Sequence, residues 1–444
     1  MTGEPRRVVI TGMGVCSAAG GDLTTFWDRL VSGVSCVRRI RRFDVSAYPS
    51  QLAAEIDADA FARDHDVGSE WLLRGRIAKY AAAAAARAIG DARLTATSAD
   101  PDRVGVSIAA GMGSYDHEEV FAPCGSARAQ EVRVGSGQGR PPVPVDFDWD
   151  AFRETLRKTW KPRLAERRTP GSIAAHIAHE RGFRGPAMAV MTACSGGTQA
   201  IGDAVGWIRR GRADVVVAGG SDSELYPMGL ASFCLLGALS RQNDTPASAS
   251  RPFDGKRDGF VMGEGAGVLV LEELRHARAR GARIYAEVAG FGSACDAYRV
   301  TDPHPDGLGA RLAMTRAFAD AGVSADEIGY VNAHGTSTVA NDQIESAALQ
   351  QIFGERARRV PISSTKSIMG HATVAAGAIE AIATALTLTT GVIHPTINQE
   401  CPDPLCDLDY VPNTARHATV EVAVSNSFAF GGQTASVVLR RHHE

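Results

Sequence analysis

Short apolar runs rich in valine and isoleucine recur along this chain, separated by longer stretches whose apolar residues return every three to four positions. A short run of that kind fits a strand buried on both faces, and its alternation with helical periodicity is the pattern of α/β units around a largely parallel sheet. The runs lie at 8–10, 104–108, 188–191 and 215–218, with helical periodicity over the Ala-rich 77–89 and over 198–209. The alternation then starts again, with strands expected at 284–288, 330–331, 360–362 and 420–424 and a helix over 372–388. Two related α/β halves are therefore expected, residues 1–282 and 283–444.

Composition removes several functions. The chain has 444 residues, 44% of them hydrophobic, and 47 Lys+Arg stand against 50 Asp+Glu. That balance offers no general attraction to nucleic acid or to an anionic membrane, so neither is expected as a partner. The longest apolar stretch, 381–393, is broken by Thr384, Thr387, Thr389 and Thr390 and falls short of the roughly 20 residues a membrane helix needs. The first residues run straight into Val8-Val-Ile without a signal-peptide core, which points to a cytoplasmic protein. The eight cysteines are scattered without a Cys-x-x-Cys pair, as in a reduced cytosolic enzyme. Cys401 and Cys406 lack a second ligand pair, so no metal site is expected there, nor at His176/His179 or His442/His443.

Residues 125–170 stand apart as an inserted arm. The arm is rich in glycine and proline at 135–144 and then basic, with Arg153, Arg157, Lys158, Lys161, Arg163, Arg167 and Arg168. A solvated helical hairpin and a docking surface for a partner both fit it. The motif Val8-Val-Ile-Thr-Gly-Met-Gly14 invites a dinucleotide-binding assignment. Its third glycine would fall at Ser17, however, and no acidic strand end follows at the required distance.

The stronger signal is Met191-Thr-Ala-Cys194-Ser-Gly-Gly-Thr198 between an apolar run and a helix. A cysteine there sits at the positive end of the helix dipole, which favours its thiolate, and Ser195, Gly196 and Gly197 leave room for a substrate carbonyl near backbone amides. By spacing alone a buried structural cysteine fits as well. Two further clusters point to chemistry. Asn332-Ala-His334-Gly-Thr-Ser-Thr338, followed by Asn341, Asp342 and Glu345, comes just after a strand, and Ser364-Thr-Lys366-Ser-Ile-Met-Gly-His371 comes just before a helix.

These clusters, with Arg251-Pro-Phe-Asp-Gly-Lys-Arg-Asp-Gly-Phe-Val-Met-Gly-Glu-Gly265 and Ser425-Asn-Ser-Phe-Ala-Phe-Gly-Gly432, run nearly end to end. With them the chain resembles the beta-ketoacyl synthases of the thiolase superfamily. The resemblance implies a thiolase-like α/β fold, its two halves forming five layers, α-β-α-β-α. It implies Cys194 as the acyl-accepting nucleophile, His334 and His371 as partners in decarboxylation, and Lys366 as organiser of the site with Glu380 as its buried partner. Two imidazole N–H groups suit an enolate oxygen that a strong base would leave unstabilised. By the same resemblance Thr336 and Thr338 contact the phosphopantetheine arm, and Phe428 and Asp296 belong to the substrate-binding residues, Asp296 on a second loop. Phe430 gates the acyl pocket, and the backbone N–H groups of Cys194 and Phe430 form the oxyanion hole. No tightly bound cofactor is implied, since substrates ride on the phosphopantetheine of an acyl carrier protein. The cluster Arg38, Arg39, Arg41 and Arg42 suits an acidic carrier or a solvated face equally.

The chain departs from the common family pattern at Ala429-Phe-Gly-Gly-Gln433-Thr434, at Gly370-His-Ala-Thr-Val374 and at Arg299, changes expected to surround the gate and the acyl pocket. With the run Glu272-Glu-Leu-Arg-His-Ala-Arg-Ala-Arg-Gly281, its character resembles the ketosynthase alpha subunits of type II polyketide systems, which pair with a chain-length-factor subunit lacking the cysteine. The alternative is a homodimeric fatty-acid elongating synthase. A noncatalytic partner subunit would lack Cys194 or a histidine, and a degradative thiolase would use a second cysteine where His371 stands.

Overall fold

The computed structural model describes residues 6–65, 68, 75–95, 97–111, 148–160 and 169–443. Among the described residues, the first half contributes five strands to the large sheet: β1 (Val8–Ser17), β2 (Val104–Ala110), β3 (Ala187–Val190), β4 (Val215–Asp222) and β5 (Gly265–Glu273). They lie side by side in the order β3-β2-β4-β5-β1, with β2 parallel to β3 and β4, and β5 antiparallel to β4 and β1. The second half contributes β6 (Ala286–Cys295), β7 (Tyr330–Asn332), β8 (Ile362–Ser363), β9 (Val422–Phe428) and β10 (Gln433–Arg441). Their order is β8-β7-β9-β10-β6, with the same parallel and antiparallel relations. In each half the spatial sequence is third, second, fourth, fifth, first, so the duplication read from the alternation is a duplication of topology. The halves join edge to edge where Val9 pairs with Glu287 and Ile10 with Ala286.

Six helices complete the layers. α1 (Gly75–Asp91) and α2 (Pro170–Arg181) cover the outer face of the first half, and α4 (Leu308–Ala321) and α5 (Val339–Phe353) cover that of the second. Between the sheets lie α3 (Gly196–Arg209) and α6 (Ala376–Thr390), packed on each other. The five layers α-β-α-β-α are thus present. Residues Thr373–Thr390 are long and apolar enough to cross a membrane by composition, with mean hydropathy 1.3, but 89% of that stretch is buried inside the protein. Its apolarity belongs to a central layer enclosed on all sides, where a helix has no wet face to make polar.

The Gly-x-Gly of β1 has a packing role. A Cβ on Gly12 would stand 2.3 Å from the Ala88 carbonyl oxygen, and one on Gly14 2.0 Å from that of Ala84. The alanine-rich α1 presses on the strand there, so no phosphate-binding loop forms. Gly290 and Gly292 of β6 repeat the device against α4, where a Cβ would approach the carbonyl oxygens of Ala317 and Ala313 to 2.4 and 2.2 Å. These glycines also explain why β6 extends to Cys295 while the apolar run suggested only 284–288. Strands β5 and β10 and helices α4 and α5 were not anticipated from periodicity. In β5 every residue is buried, including Glu272, which is held by Thr11, His276 and Arg280. Of the expected arm, the structure describes residues 148–160, where the helix Trp149–Thr159 is capped by Asp148, and 169–170; the remainder, with its glycine-rich and most basic parts, lies outside the described residues.

Candidate active site

Cys194 is presented by a tight turn between β3 and α3. Ala193 takes φ +46°, a left-handed conformation costly for a residue with a Cβ, and the turn Ala193–Ser195 feeds directly into α3. The backbone N–H groups of Cys194 and Phe430 both bear on the thiol. The second half repeats the elbow: Thr373 at φ +43° opens the turn Thr373–Ala375 ahead of α6, so Val374 holds the place there that Cys194 holds in the first half. The two helix starts interlock, since a Cβ on Gly197 would come within 2.7 Å of the Ala378 nitrogen and one on Gly377 within 2.1 Å of Thr198 Oγ1.

His334 follows β7, and its loop is fixed by a buried carboxylate. The N–H groups of His334 and Gly335 donate to Glu345 of α5 at 2.9 and 2.8 Å. His371 follows Gly370, whose φ of +66° and close approach to the Val261 and Met262 carbonyls require glycine. The His371 N–H donates to the Val261 oxygen at 2.8 Å, and the Gly263 N–H to the His371 oxygen at 2.9 Å, so the motif 251–265 serves to hold this histidine. The two imidazoles meet edge to face, with ring centroids 5.4 Å apart at 85°; His334 neighbours Phe428 and His371 neighbours Phe260.

Electrostatics set the protonation states. Burial, aided by the nearby Lys366 charge, holds both histidines well below their ordinary pKa, so both imidazoles are neutral at physiological pH. Lys366 and Glu380 form an ion pair with side chains 1% and 2% exposed. Burial pushes the Glu380 carboxyl up to about 7 against the pull of Lys366, and pushes Glu345 to about 7 against its two backbone donors. For Cys194 the helix-dipole expectation is corrected. Lys366 and the backbone N–H groups pull the thiol down, but desolvation outweighs them and raises it to about 12. The residue at rest is therefore a thiol.

A cavity of about 330 Å³ joins these parts. Cys194, His334, His371, Thr336, Thr338, Phe428 and Phe430 all line it. Lys366, Glu380 and Asp296 do not. The Asp296 carboxylate accepts the N–H groups of Tyr298 and His304, and its own N–H donates to the Gly432 oxygen at 3.0 Å, tying its loop to the Phe430 loop. Thr336 and Thr338 share a hydroxyl contact of 2.9 Å. Among the departures, Thr373 and Ala429 reach the cavity, whereas Arg299 does not line it but pairs at the surface with Asp302, which does. In the basic cluster Arg42 is engaged by the buried Glu264, which leaves Arg38, Arg39 and Arg41 exposed. Phe260 and Asp222 support the site without having been singled out for it, and Glu345, named in the sequence only as following the His334 cluster, anchors the His334 loop. Glu345 alone carried a signal, a carboxylate eleven residues beyond His334 on what becomes the buried face of α5.

Comparison with known proteins follows the same outline. Residues 5–277 match the family model "Beta-ketoacyl synthase, N-terminal domain" and residues 285–400 match "Beta-ketoacyl synthase, C-terminal domain". The chain is 38% identical to a 3-oxoacyl-[acyl-carrier-protein] synthase 2 of Synechocystis sp., over 99% of both chains. It is 41% identical to the tetracenomycin polyketide synthase ketoacyl synthase alpha subunit of Streptomyces glaucescens, over 99% of this chain and 98% of the other. Among solved structures it is similar to the ishigamide ketosynthase/chain length factor, at TM-score 0.85 and 35% identity, over 99% of this chain and 100% of the other.

Proposed function

Because the chain belongs to the beta-ketoacyl synthase family, a family of condensing acyltransferases, we propose that it serves type II polyketide biosynthesis as a cysteine-dependent ketosynthase. The observation that carries this is the convergence of one thiol, two neutral imidazoles and two backbone N–H groups on a single cavity. In the first step Cys194 Sγ attacks the thioester carbonyl of an acyl carrier protein. The developing oxyanion is met by the N–H groups of Cys194 and Phe430, the Cys194 proton passes to the departing pantetheine sulfur, and the acyl group remains on Cys194. In the second, malonyl-carrier protein loses carbon dioxide, and the electron pair of the broken bond forms an enolate. His334 and His371 donate N–H bonds to its oxygen. Because both are neutral, they stabilise that charge without readily giving up a proton to the carbanion. The enolate carbon then attacks the acyl carbonyl, the Cys194 sulfur leaves as a thiolate that regains its proton from water, and a beta-ketoacyl-carrier protein is released.

Lys366, paired with Glu380, keeps a positive charge beneath the histidines, while Thr336, Thr338 and Phe428 line the approach for phosphopantetheine and Phe430 gates the acyl side. Asp296 acts through the loop it ties to Gly432. In this scheme residues 1–282 carry the nucleophile and 283–444 the histidines. The partners are an acyl carrier protein and a chain-length-factor-like subunit, in a cytoplasmic enzyme without a tightly bound cofactor. The similarity to an alpha subunit and to a ketosynthase/chain length factor supports the heterodimer, and the altered loop 429–434 supports a pocket unlike that of the fatty-acid enzymes. The homodimeric fatty-acid elongase is the second reading, favoured by the equally extensive likeness to 3-oxoacyl-carrier-protein synthases.

Intact-protein mass spectrometry of the purified chain with a medium-chain acyl-carrier protein and malonyl-carrier protein separates them. Acylated Cys194 without a longer product supports the heterodimer; a beta-ketoacyl product two carbons longer from the chain alone supports the elongase. Acylation that persists in Cys194→Ala refutes both.

A further inference from the structure

We propose that Asp222 is a positioning residue of the condensing site, whose buried carboxylate clamps the Thr373–Ala375 turn and thereby holds the cavity wall between Cys194 and His371. Asp222 ends β4 and is 1% exposed. Three donors converge on it. The Ser223 N–H reaches Oδ1 at 2.9 Å, and the Val374 N–H at 3.1 Å and the Thr373 hydroxyl both reach Oδ2. Two of the three come from the turn of the other half, so the contact links β4 of the first half to the start of α6. Oδ2 takes both donors of the turn and Oδ1 that of Ser223, so a carboxylate satisfies all three, whereas an amide must turn its NH2 group toward either Ser223 or the turn.

That turn needs an external hold. Thr373 is β-branched and sits at φ +43°, a conformation that persists only where the surroundings over-determine it. Thr373 itself lines the cavity beside Cys194 and His371. The next side chain, Val374, packs with Ala109, Val190 and Ala200. It also stands so close to Gly196 that a Cβ there would lie 2.8 Å from Val374 Cγ1. A shift of the turn therefore displaces the nucleophile elbow and the cavity wall together, and small misplacements of reacting groups lower rates steeply. Asp222 also acts on Cys194 through space, opposing Lys366.

The proposal rests on Cys194 being the acyl acceptor, and the test separates the two. Wild type, Asp222→Asn, Thr373→Ser and Thr373→Val are assayed for acyl-Cys194 by intact mass and for carbon dioxide release and malonyl-carrier KM, with the partner subunit present if condensation needs it. An amide at 222 places an N–H against one of the donors, and valine removes the hydroxyl at nearly constant shape. Both variants are expected to lower kcat about tenfold or more with KM within about twofold, whereas Thr373→Ser, which keeps the hydroxyl, stays within about threefold of wild type. If Asp222→Asn does not fold, the valine and serine variants decide. Thr373→Val at the wild-type rate, or Thr373→Ser falling as far as Thr373→Val, overturns the clamp. Wild type that takes no acyl group on Cys194 overturns the reading beneath it.

Discussion

The Lys366–Glu380 pair offers a quantitative test of how the site is held. Both side chains are essentially out of water and the ion pair is their shared solution to burial. Removing one partner of such a pair strands a buried charge, at about 3–5 kcal/mol, while replacing both by apolar residues of similar volume is often neutral or stabilising. With an unfolding entropy of about 2.1 cal/mol/K per residue over 444 residues, Glu380→Met should lower the melting temperature by ~3–5 °C. Lys366→Met should cost less at neutral pH, because Glu380 already lies at about 7 with the lysine present and rises further without it, so the carboxyl takes up a proton and becomes neutral. The sign of its pH dependence follows. A carboxyl raised above its ordinary 4.5 leaves the folded state most stable below that value, and Lys366→Met should lose stability as pH rises through the elevated folded value. The double variant Lys366→Met/Glu380→Met should be close to wild type in stability while lacking condensation. Urea unfolding of all four proteins at two pH values measures these differences. A double variant as unstable as the sum of the two singles would refute the electrostatic account and leave shape as the cause.

His334→Ala and His371→Ala should still take an acyl group on Cys194 but release carbon dioxide from malonyl-carrier protein about 10²–10³-fold more slowly, as seen in single-turnover assays; undiminished release would remove them from enolate stabilisation. Asp214, held down to about 2 by Arg103 and Arg6, contributes stability present above its ordinary 3.8 and lost as pH falls toward 2. Asp214→Asn should therefore flatten the acid limb of the stability curve in that window, and a curve parallel to wild type would show the pair to be idle. Gly14→Ala would set a methyl 2.0 Å from the Ala84 carbonyl oxygen, so β1 and α1 must part. Overpacking of that kind costs about 1–3 kcal/mol, read as a lower denaturant midpoint, with acylation of the folded fraction unchanged.

The fold class and several of the residues that line the cavity were legible because each is written locally. Buried strands appear as Val/Ile runs, central helices as apolar periodicity, and the proposed nucleophile as a cysteine between a strand and two helix-starting glycines. What periodicity hid was hidden for a physical reason. Strand β6 carries Gly290 and Gly292, poor strand formers in isolation, because α4 presses on them; β5 buries the charged Glu272 near its end, where Thr11 of β1 and the following His276 and Arg280 satisfy it. The Gly-x-Gly of β1, already lacking the third glycine and the acidic strand end of a nucleotide loop, owes its glycines to the alanines of α1 packed against it. By itself the sequence determined which residue types stand at the strand-to-helix junctions, since those are covalent facts and short-range conformational preferences. Only the tertiary structure decided their chemistry. Desolvation keeps Cys194 a thiol and His334 and His371 neutral, Asp222 grips a turn that lies far from it in sequence, and charge and strain of this kind depend on what surrounds a group once distant segments have packed together.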